Sequence, residues 1–217
     1  MSWSEVALLA VVLLGLALWW VWVAASRLDR LHHKVVASRL ALQAQLDRRV
    51  RTSLDLASSG LLDPASSVLL ADAAFAVTTA GEPPGLAEEG VPGPTADAET
   101  VAVVGGPSPA EAFALTGLPA ERERSESELS VTLRSVLADA DTVAGLRSSG
   151  PGEELVGDLA GAWYRAQLAR RFHNEAVAQA QRARRPRRAR WLRLAGRAPW
   201  PQTVELDDQM PDGIDAT

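Results

Sequence analysis

The chain has no cysteine and few of the side chains most used in catalysis. Its 217 residues include one lysine, Lys34, and three histidines. The missing cysteine excludes a disulfide framework, Cys-ligated zinc and a thiol nucleophile. Adjacent His32 and His33, and isolated His173, are more typical of structural positions than of a metal site. We therefore predict a binding protein and not an enzyme, with no cofactor and no metal.

No motif in the chain has the spacing of a catalytic site. Asp139 and Asp141 lie on different faces of one predicted helix, so they do not form an acid–base pair. Gly105-Gly106 lacks the spacing and the lysine of a phosphate-binding loop. The serine pairs Ser58-Ser59 and Ser148-Ser149 have no histidine nearby in the sequence. These patterns leave enzymatic activity as the least favoured interpretation.

A twenty-residue stretch without charge, Val6 to Ala25, lies near the N-terminus. As a helix it would be about 30 Å long, the thickness of a bilayer core. Tryptophans at both ends, such as Trp3 and Trp22, fit the two membrane interfaces. A cleaved signal peptide is the competing interpretation, because Val23 to Ser26 resembles a cleavage site. The start carries no basic residue and the apolar core is too long, so residues 1–25 are predicted to be an uncleaved transmembrane anchor.

The charges beside this stretch predict its orientation. No Lys or Arg precedes it, whereas Arg27, Arg30 and Lys34 follow it closely. Basic flanks remain in the cytoplasm. We therefore predict an outside N-terminus and a cytoplasmic domain from residue 26 to 217. Abundant Ala and Arg suggest a bacterial source, and hence the inner membrane.

The rest of the chain shows helical periodicity in four segments. The first continues from the membrane span to Gly60, and the second, residues 64–80, begins at Asp63-Pro64. Together these make residues 26–80 the first helices of a bundle. The third and fourth segments, 120–146 and 153–185, complete the bundle within residues 120–186, before the tail 187–217. Their apolar stripes predict an all-α fold: a transmembrane helix, then an antiparallel up-and-down bundle of long helices.

Residues 81–119 break the helical pattern. They are acidic and rich in Pro, Gly and Ala. A loop of this length is unusual in a compact domain, so we predict a flexible, disordered insertion. Within it, Val101 to Val104 is compatible with a short strand and Pro109 to Leu115 with a helical turn.

Arginines are concentrated near the C-terminus and predict contact with an anionic surface. Anionic lipid headgroups are the favoured partner, and nucleic acid is less expected. In the remaining alternative the arginines bind no external partner, and they either face solvent or contact the acidic segment Glu205 to Asp215. The predicted contact residues are Arg182, Arg184, Arg185, Arg187, Arg188, Arg190, Arg193, Arg197 and Trp191.

Two motifs resemble the LemA family of bacterial membrane proteins. One is the stretch from Leu28 to Val50, which ends in the Arg48-Arg49 pair; the other runs from Arg170 to Val177 and is followed by Pro186, Trp200 and Glu205. The chain departs from the family where His173 replaces a Tyr, where Ala180-Gln181 replaces a Tyr-Asn, and where Thr52 to Leu56 replaces a Leu-Ile-Pro-Asn-Leu run. The resemblance implies a membrane anchor, a helical bundle and structural roles for five motif residues: Arg48, Arg49, Arg171, Phe172 and Asn174.

Two functions therefore remain open. The favoured one is a single-pass, membrane-anchored scaffold or interaction module that binds another protein or itself. The alternative is a module that binds anionic lipid or nucleic acid through its C-terminal arginines. The resemblance does not decide between them, because it implies little about molecular activity.

Overall fold

A computed structural model describes residues 3–80, 116–185, 199–211 and 213–214. This part of the chain forms five helices and no strand: α1 (Trp3–Ser58), α2 (Pro64–Ala80), α3 (Ala120–Val136), α4 (Ala140–Arg147) and α5 (Gly150–Arg184). The predicted insertion 81–119 lies outside the described residues except for 116–119, where Leu118 packs on the core. The suggested strand and helical turn within it also lie outside.

Helix α1 is continuous over 56 residues, as the absence of Gly and Pro after the apolar stretch predicts. It is about 84 Å long at 1.5 Å per residue. It is followed by Gly60, whose φ of 72° is the left-handed conformation expected after a helix end. The predicted start of α2 is also confirmed, because the Asp63 carboxylate accepts hydrogen bonds from the backbone N–H groups of Ala65 and Ser66, each at 3.0 Å.

Two predictions about helices were wrong. The segment 120–146 is not one helix, because Asp139 accepts hydrogen bonds from the backbone N–H and hydroxyl of Thr142 and starts α4 as a new helix. The fourth segment begins at Gly150, three residues earlier than predicted, because the Ser149 hydroxyl accepts a hydrogen bond from Gly152 N–H. A Ser or Asp side chain at this position satisfies an N–H group that has no partner inside the helix.

The two halves of α1 have opposite environments. The apolar window near the N-terminus has a mean hydropathy of 2.6 and is 0% buried within the described structure. Of the helices in the described residues, α1 alone is long and apolar enough to cross a membrane. From Leu28 onward its predicted stripe is buried instead, and Val35, Leu42 and Leu46 are at most 1% exposed.

The core lies along the contact between α1 and α5. Near the apolar window, Val35 clusters with Ala176, Val177 and Ala180. Further along, Leu42 and Leu46 cluster with Ala166. At the far end, α2, α3 and α4 join a larger cluster around Trp163, which is 0% exposed.

Helix α2 buries only part of its apolar surface. Its buried residues are Leu70, Ala74 and Val77. Three other apolar residues are exposed: Val68, Leu69 and Phe75 at 68%, 61% and 64%. The helix is apolar nearly all round, so periodicity could not distinguish its faces. An exposed apolar surface of this kind marks an interaction site in many proteins.

Candidate functional site

The aspartate and serine side chains that the sequence analysis rejected as catalytic groups have helix-capping or helix-end contacts in the structure. Asp139 begins α4, and the hydroxyls of Ser58, Ser59, Ser148 and Ser149 donate hydrogen bonds to backbone carbonyls one turn earlier. Within the described ranges, no three His, Asp or Glu side chains are grouped as metal ligands. The polar features that remain are a buried ionic cluster, a bound C-terminal segment, a buried histidine and a basic end.

The ionic cluster joins α1 to α3 inside the core. Arg49 donates to Glu126 at 2.7 Å, and both side chains are 0% exposed. Glu126 also accepts from Arg122, which donates to Asp47 at 2.8 Å. Arg49 further donates to the Ser130 hydroxyl at 2.9 Å, and its guanidinium carbon lies 5.0 Å from the centre of the Trp163 ring. Buried charges of this kind are tolerated only when their partners satisfy them.

Residues 199–211 form a C-terminal strap, without helix or strand, that is held on α3 and α5. The Asn174 side chain donates to the Val204 carbonyl at 3.0 Å and accepts from the Val204 N–H at 2.9 Å. Gln181 donates to the Pro201 carbonyl at 2.8 Å, and Trp163 Nε1 donates to the Asp208 carbonyl at 2.9 Å. These side chains provide hydrogen-bond partners for backbone groups that have none in a helix or a sheet.

The acidic residues of the strap contact arginines outside the predicted cluster. Arg170 donates two hydrogen bonds to the Asp208 carboxylate, at 2.7 and 2.9 Å. Arg134 donates to Asp207 at 3.0 Å, and this hydrogen bond holds the pKa of the Asp207 carboxyl below its usual value. Asp207 and Asp208 therefore bind arginines of α3 and α5. The alternative contact between the acidic segment and the C-terminal arginines lies largely outside the described residues.

His173 is buried between α1 and the strap. Because the Ser38 hydroxyl donates its proton to the Val35 carbonyl at 2.8 Å, the 3.1 Å contact between Ser38 and His173 Nδ1 requires Nδ1 to carry the imidazole proton. Burial, and then the nearby Arg39 guanidinium, lower the pKa of His173 to about 4. The imidazole is therefore neutral at pH 7, which avoids a second charge beside buried Arg39.

Arg39 connects the same region to the residues before α3. It is 3% exposed and donates to the Gly117 carbonyl at 3.3 Å. Gly117 has a φ of 81°, a left-handed conformation that favours glycine. A Cβ added there would lie 3.5 Å from Gln202 Cβ in the strap. The chain around Gly117 is therefore fixed by both its conformation and its neighbours.

The five family-motif residues have different surroundings. Arg49 is the centre of the buried ionic cluster, and Asn174 is the half-buried residue that binds Val204. Arg48, Arg171 and Phe172 are exposed, with Phe172 at 63%. Glu126, Arg122 and Asp208 have comparable roles but belong to no motif quoted from the sequence. The i,i+4 spacing of Arg122 and Glu126 is a local signal for their own pair, but the contact between Arg49 and Glu126 spans 77 residues and leaves no local pattern.

Three of the nine predicted anionic-contact residues lie in the described chain: Arg182, Arg184 and Arg185. Arg184 donates to the Pro199 carbonyl and lies 5.2 Å from the Trp200 ring. Arg182 forms an exposed ion pair with Glu175 at 2.9 Å, and Arg185 is exposed. The other six lie outside the described residues: Arg187, Arg188, Arg190, Trp191, Arg193 and Arg197.

An open groove of about 570 Å³ runs between α1, α2 and the start of α3. Arg51, Asp47 and Arg122 provide its charged lining, and Phe75 and Leu54 provide apolar lining. The exposed apolar face of α2 therefore lies beside a cavity that contains charged groups.

Comparisons with known proteins give no relative for this chain. No family model, no curated protein and no solved structure matches it.

Proposed function

We propose that this chain is a single-pass, membrane-anchored helical-bundle protein that acts as a scaffold or interaction module. The proposed location is the cytoplasmic face of a bacterial inner membrane, with the N-terminus outside. The observation that carries the proposal is α1, which is an exposed apolar helix before Ala25 and a core helix after Leu28 without interruption. A core helix of a soluble domain would be buried over its apolar window, and this one is not.

Because α1 is continuous, we expect no hinge between the membrane span and the bundle of the proposed scaffold. A hinge after a membrane span usually requires Gly, Pro or a disrupted hydrogen-bond ladder, and α1 has none of these between Ala25 and Ser58. The domain would therefore keep a fixed height and orientation relative to the span itself. At 1.5 Å per residue, Ser58 would lie about 50 Å beyond Ala25.

The packing order supports the antiparallel up-and-down arrangement that we propose for the bundle. Residues that come later in α1 pair with residues that come earlier in α5: Val35 with Val177, then Leu42 and Leu46 with Ala166. Such pairing is expected of neighbouring helices that run in opposite directions. The LemA-like layout proposed for this chain has the same order of membrane helix and bundle.

The exposed face of α2 is the proposed contact surface for a protein partner or a second copy. Val68, Leu69 and Phe75 are all more than 60% exposed, and Phe75 also lines the groove. Large apolar side chains exposed together favour association, since burial stabilises each by about 1.5–3 kcal/mol.

Alkaline carbonate extraction tests the anchor. We expect the wild-type chain to remain in the membrane pellet, and the double variant V11R/L14R to be released, because each charge at the centre of a span costs about 2.5–3.5 kcal/mol. The matched control is L40R/A44R, which adds the same charges at exposed positions of α1 beyond the span. Release of the wild type, or retention of V11R/L14R, would contradict the anchor.

Photo-crosslinking tests the scaffold. A photoreactive residue at Phe75 in the full chain, irradiated in native membranes, is expected to give a reproducible adduct of higher mass. The same residue at Glu154, an exposed polar position of α5, is the control. A lone monomer from both positions would contradict the interaction role.

A further inference from the structure

The fold brings basic side chains from two distant parts of the sequence to the same end of the domain. Helix α1 contributes Arg27, Arg30 and Lys34, all exposed, just after the apolar window. Helix α5 ends beside them, because Lys34 donates to the Gln179 side chain at 3.0 Å. We call the six basic residues of this end the basic collar: Arg27, Arg30, Lys34, Arg182, Arg184 and Arg185.

Helix geometry gives the height of the collar above the proposed membrane. At 1.5 Å per residue, Arg27, Arg30 and Lys34 lie about 3, 8 and 14 Å beyond Ala25. Gln179 is level with Lys34, and α5 runs from there toward the span. Arg182 and Arg185 are three and six residues further on, which brings them to about 9 and 5 Å beyond Ala25.

These heights coincide with the polar layer of a bilayer. That layer is about 5–8 Å thick on each side of the hydrocarbon core. Electrostatic attraction reaches about 8 Å further at physiological ionic strength. The collar therefore lies within or just above the headgroups if Ala25 ends the span.

The proximity of the two helix ends also affects the electrostatics of His32. Burial lowers the pKa of His32, and the Arg184 guanidinium from α5 lowers it further, against the opposing effect of Asp29. Arg184 also stacks with Trp200 at 5.2 Å, and that ring is 47% exposed. Trp is enriched at this depth of a membrane because its ring is amphipathic.

The described acids near the collar offset only part of its charge. Glu175 pairs with Arg182 at the surface, where both side chains are more than half exposed. Asp29 lies 3.7 Å from His33. Within the described residues, six basic side chains and these two acids give this end a formal net charge of +4. Phosphodiester groups are the anions that arginine binds most favourably, through charge and paired hydrogen bonds.

We propose that the basic collar binds the headgroups of anionic phospholipids and so fixes the rotation and tilt of the domain on the membrane. This inference rests on the proposed membrane anchor. It commits to lipid, and not to free phosphate or nucleic acid, because α1 holds the collar at headgroup height whenever the span is inserted. Lipid bound on both helices would resist separation of α5 from α1.

The test uses the full chain in nanodiscs that contain phosphatidylcholine and phosphatidylglycerol. Spin-labelled versions of each lipid report relative association with the protein. We expect the wild type to prefer phosphatidylglycerol roughly fivefold or more at low salt, since each basic residue near an anionic surface contributes about fivefold. The preference is expected to fall at high salt.

Two matched variants make the test specific to the collar. R182Q/R185Q removes two exposed charges from α5 and is expected to reduce the preference by at least roughly fivefold, the contribution of one such residue. These residues follow the span by more than 150 positions, so they do not set its orientation. R147Q/R165Q removes the same charge from exposed positions outside the collar and is expected to retain the preference. Equal preference in all three proteins would overturn the proposal.

Competition experiments distinguish lipid from other sources of phosphate. A further comparison distinguishes failure of the membrane anchor from failure of the basic collar. Inorganic phosphate, matched to the lipid phosphate, is expected to leave the lipid preference unchanged. A single-stranded oligonucleotide that abolishes it at a lower concentration would assign the collar to nucleic acid and overturn the proposal. A chain that does not enter nanodiscs would contradict the anchor; a chain that enters but ignores lipid charge contradicts only the collar.

Discussion

The ionic cluster around Glu126 allows the sharpest test of how the helices are held. In Glu126→Gln the side chain keeps its shape, but an NH₂ group replaces one carboxylate oxygen. Arg49 and Arg122 each donate to a different oxygen of Glu126, at 2.7 and 3.0 Å. The new NH₂ must therefore face a guanidinium donor inside the core. Removing one partner from a buried ion pair costs about 3–5 kcal/mol.

The expected loss is near the lower end of this range, about 3 kcal/mol, because Asp47 and Ser130 still accept from Arg122 and Arg49. For a chain of this size, that corresponds to a fall in Tm of roughly 6–12 °C. Thermal unfolding in detergent, followed by near-UV circular dichroism, measures it.

The exposed pair between Arg182 and Glu175 provides the matched control. The two side chains are 61% and 57% exposed, against 0% for both partners in the core pair. Glu175→Gln is expected to cost less than about 1 kcal/mol, because water screens exposed ion pairs. Equal falls in Tm for E126Q and E175Q would refute the argument that burial makes the core pair contribute more to the free energy of unfolding.

Three further predictions concern the strap and its surroundings. Asn174→Ala removes both hydrogen bonds to Val204 and is expected to cost about 2 kcal/mol, with faster amide hydrogen exchange at Val204; unchanged exchange there would be evidence against the strap contact. The free energy of unfolding is expected to fall as the pH decreases from 6.5 toward 4, by up to about 3 kcal/mol, because the unfolded chain binds a proton that buried His173 excludes. Denaturant titrations at several pH values measure this slope, and its persistence in His173→Gln would show that another group causes it. Gly117→Ala is expected to destabilise by about 1–2 kcal/mol because of its φ of 81°, whereas Gly157→Ala, at an open helical position, is expected to stabilise by about 0.5–1 kcal/mol; equal Tm changes would contradict this.

Local sequence rules predicted the ends of several helices correctly. Asp63-Pro64 begins α2, and Gly60 follows the end of α1 in a left-handed conformation, because capping depends on residues within one turn. Asp139 caps the start of α4 in the same way. Apolar residues nevertheless recur at helical spacing from Leu129 to Leu146, on both sides of this break. Periodicity obscured a capping residue there.

Contacts between distant segments could not be predicted from one sequence. Nothing near Arg49 indicates that Glu126 is its partner, and nothing near Asp208 indicates Arg170. The buried face of α2 could not be predicted either, because apolar residues lie on several sides of that helix and only its neighbours decide which side is covered. The same limit applied to the basic collar. The arginine run near the C-terminus was evident, but its position beside Lys34 depends on the direction and register of α5.

Membrane topology is the central claim, and cysteine labelling tests it directly because the chain has no native cysteine. Single cysteines at Ser2 and Asp55 would be treated with a membrane-impermeant maleimide in intact spheroplasts and again after lysis. The account predicts labelling of S2C in intact cells, and of D55C only after lysis. Labelling of D55C in intact spheroplasts would contradict the proposed cytoplasmic location of the bundle.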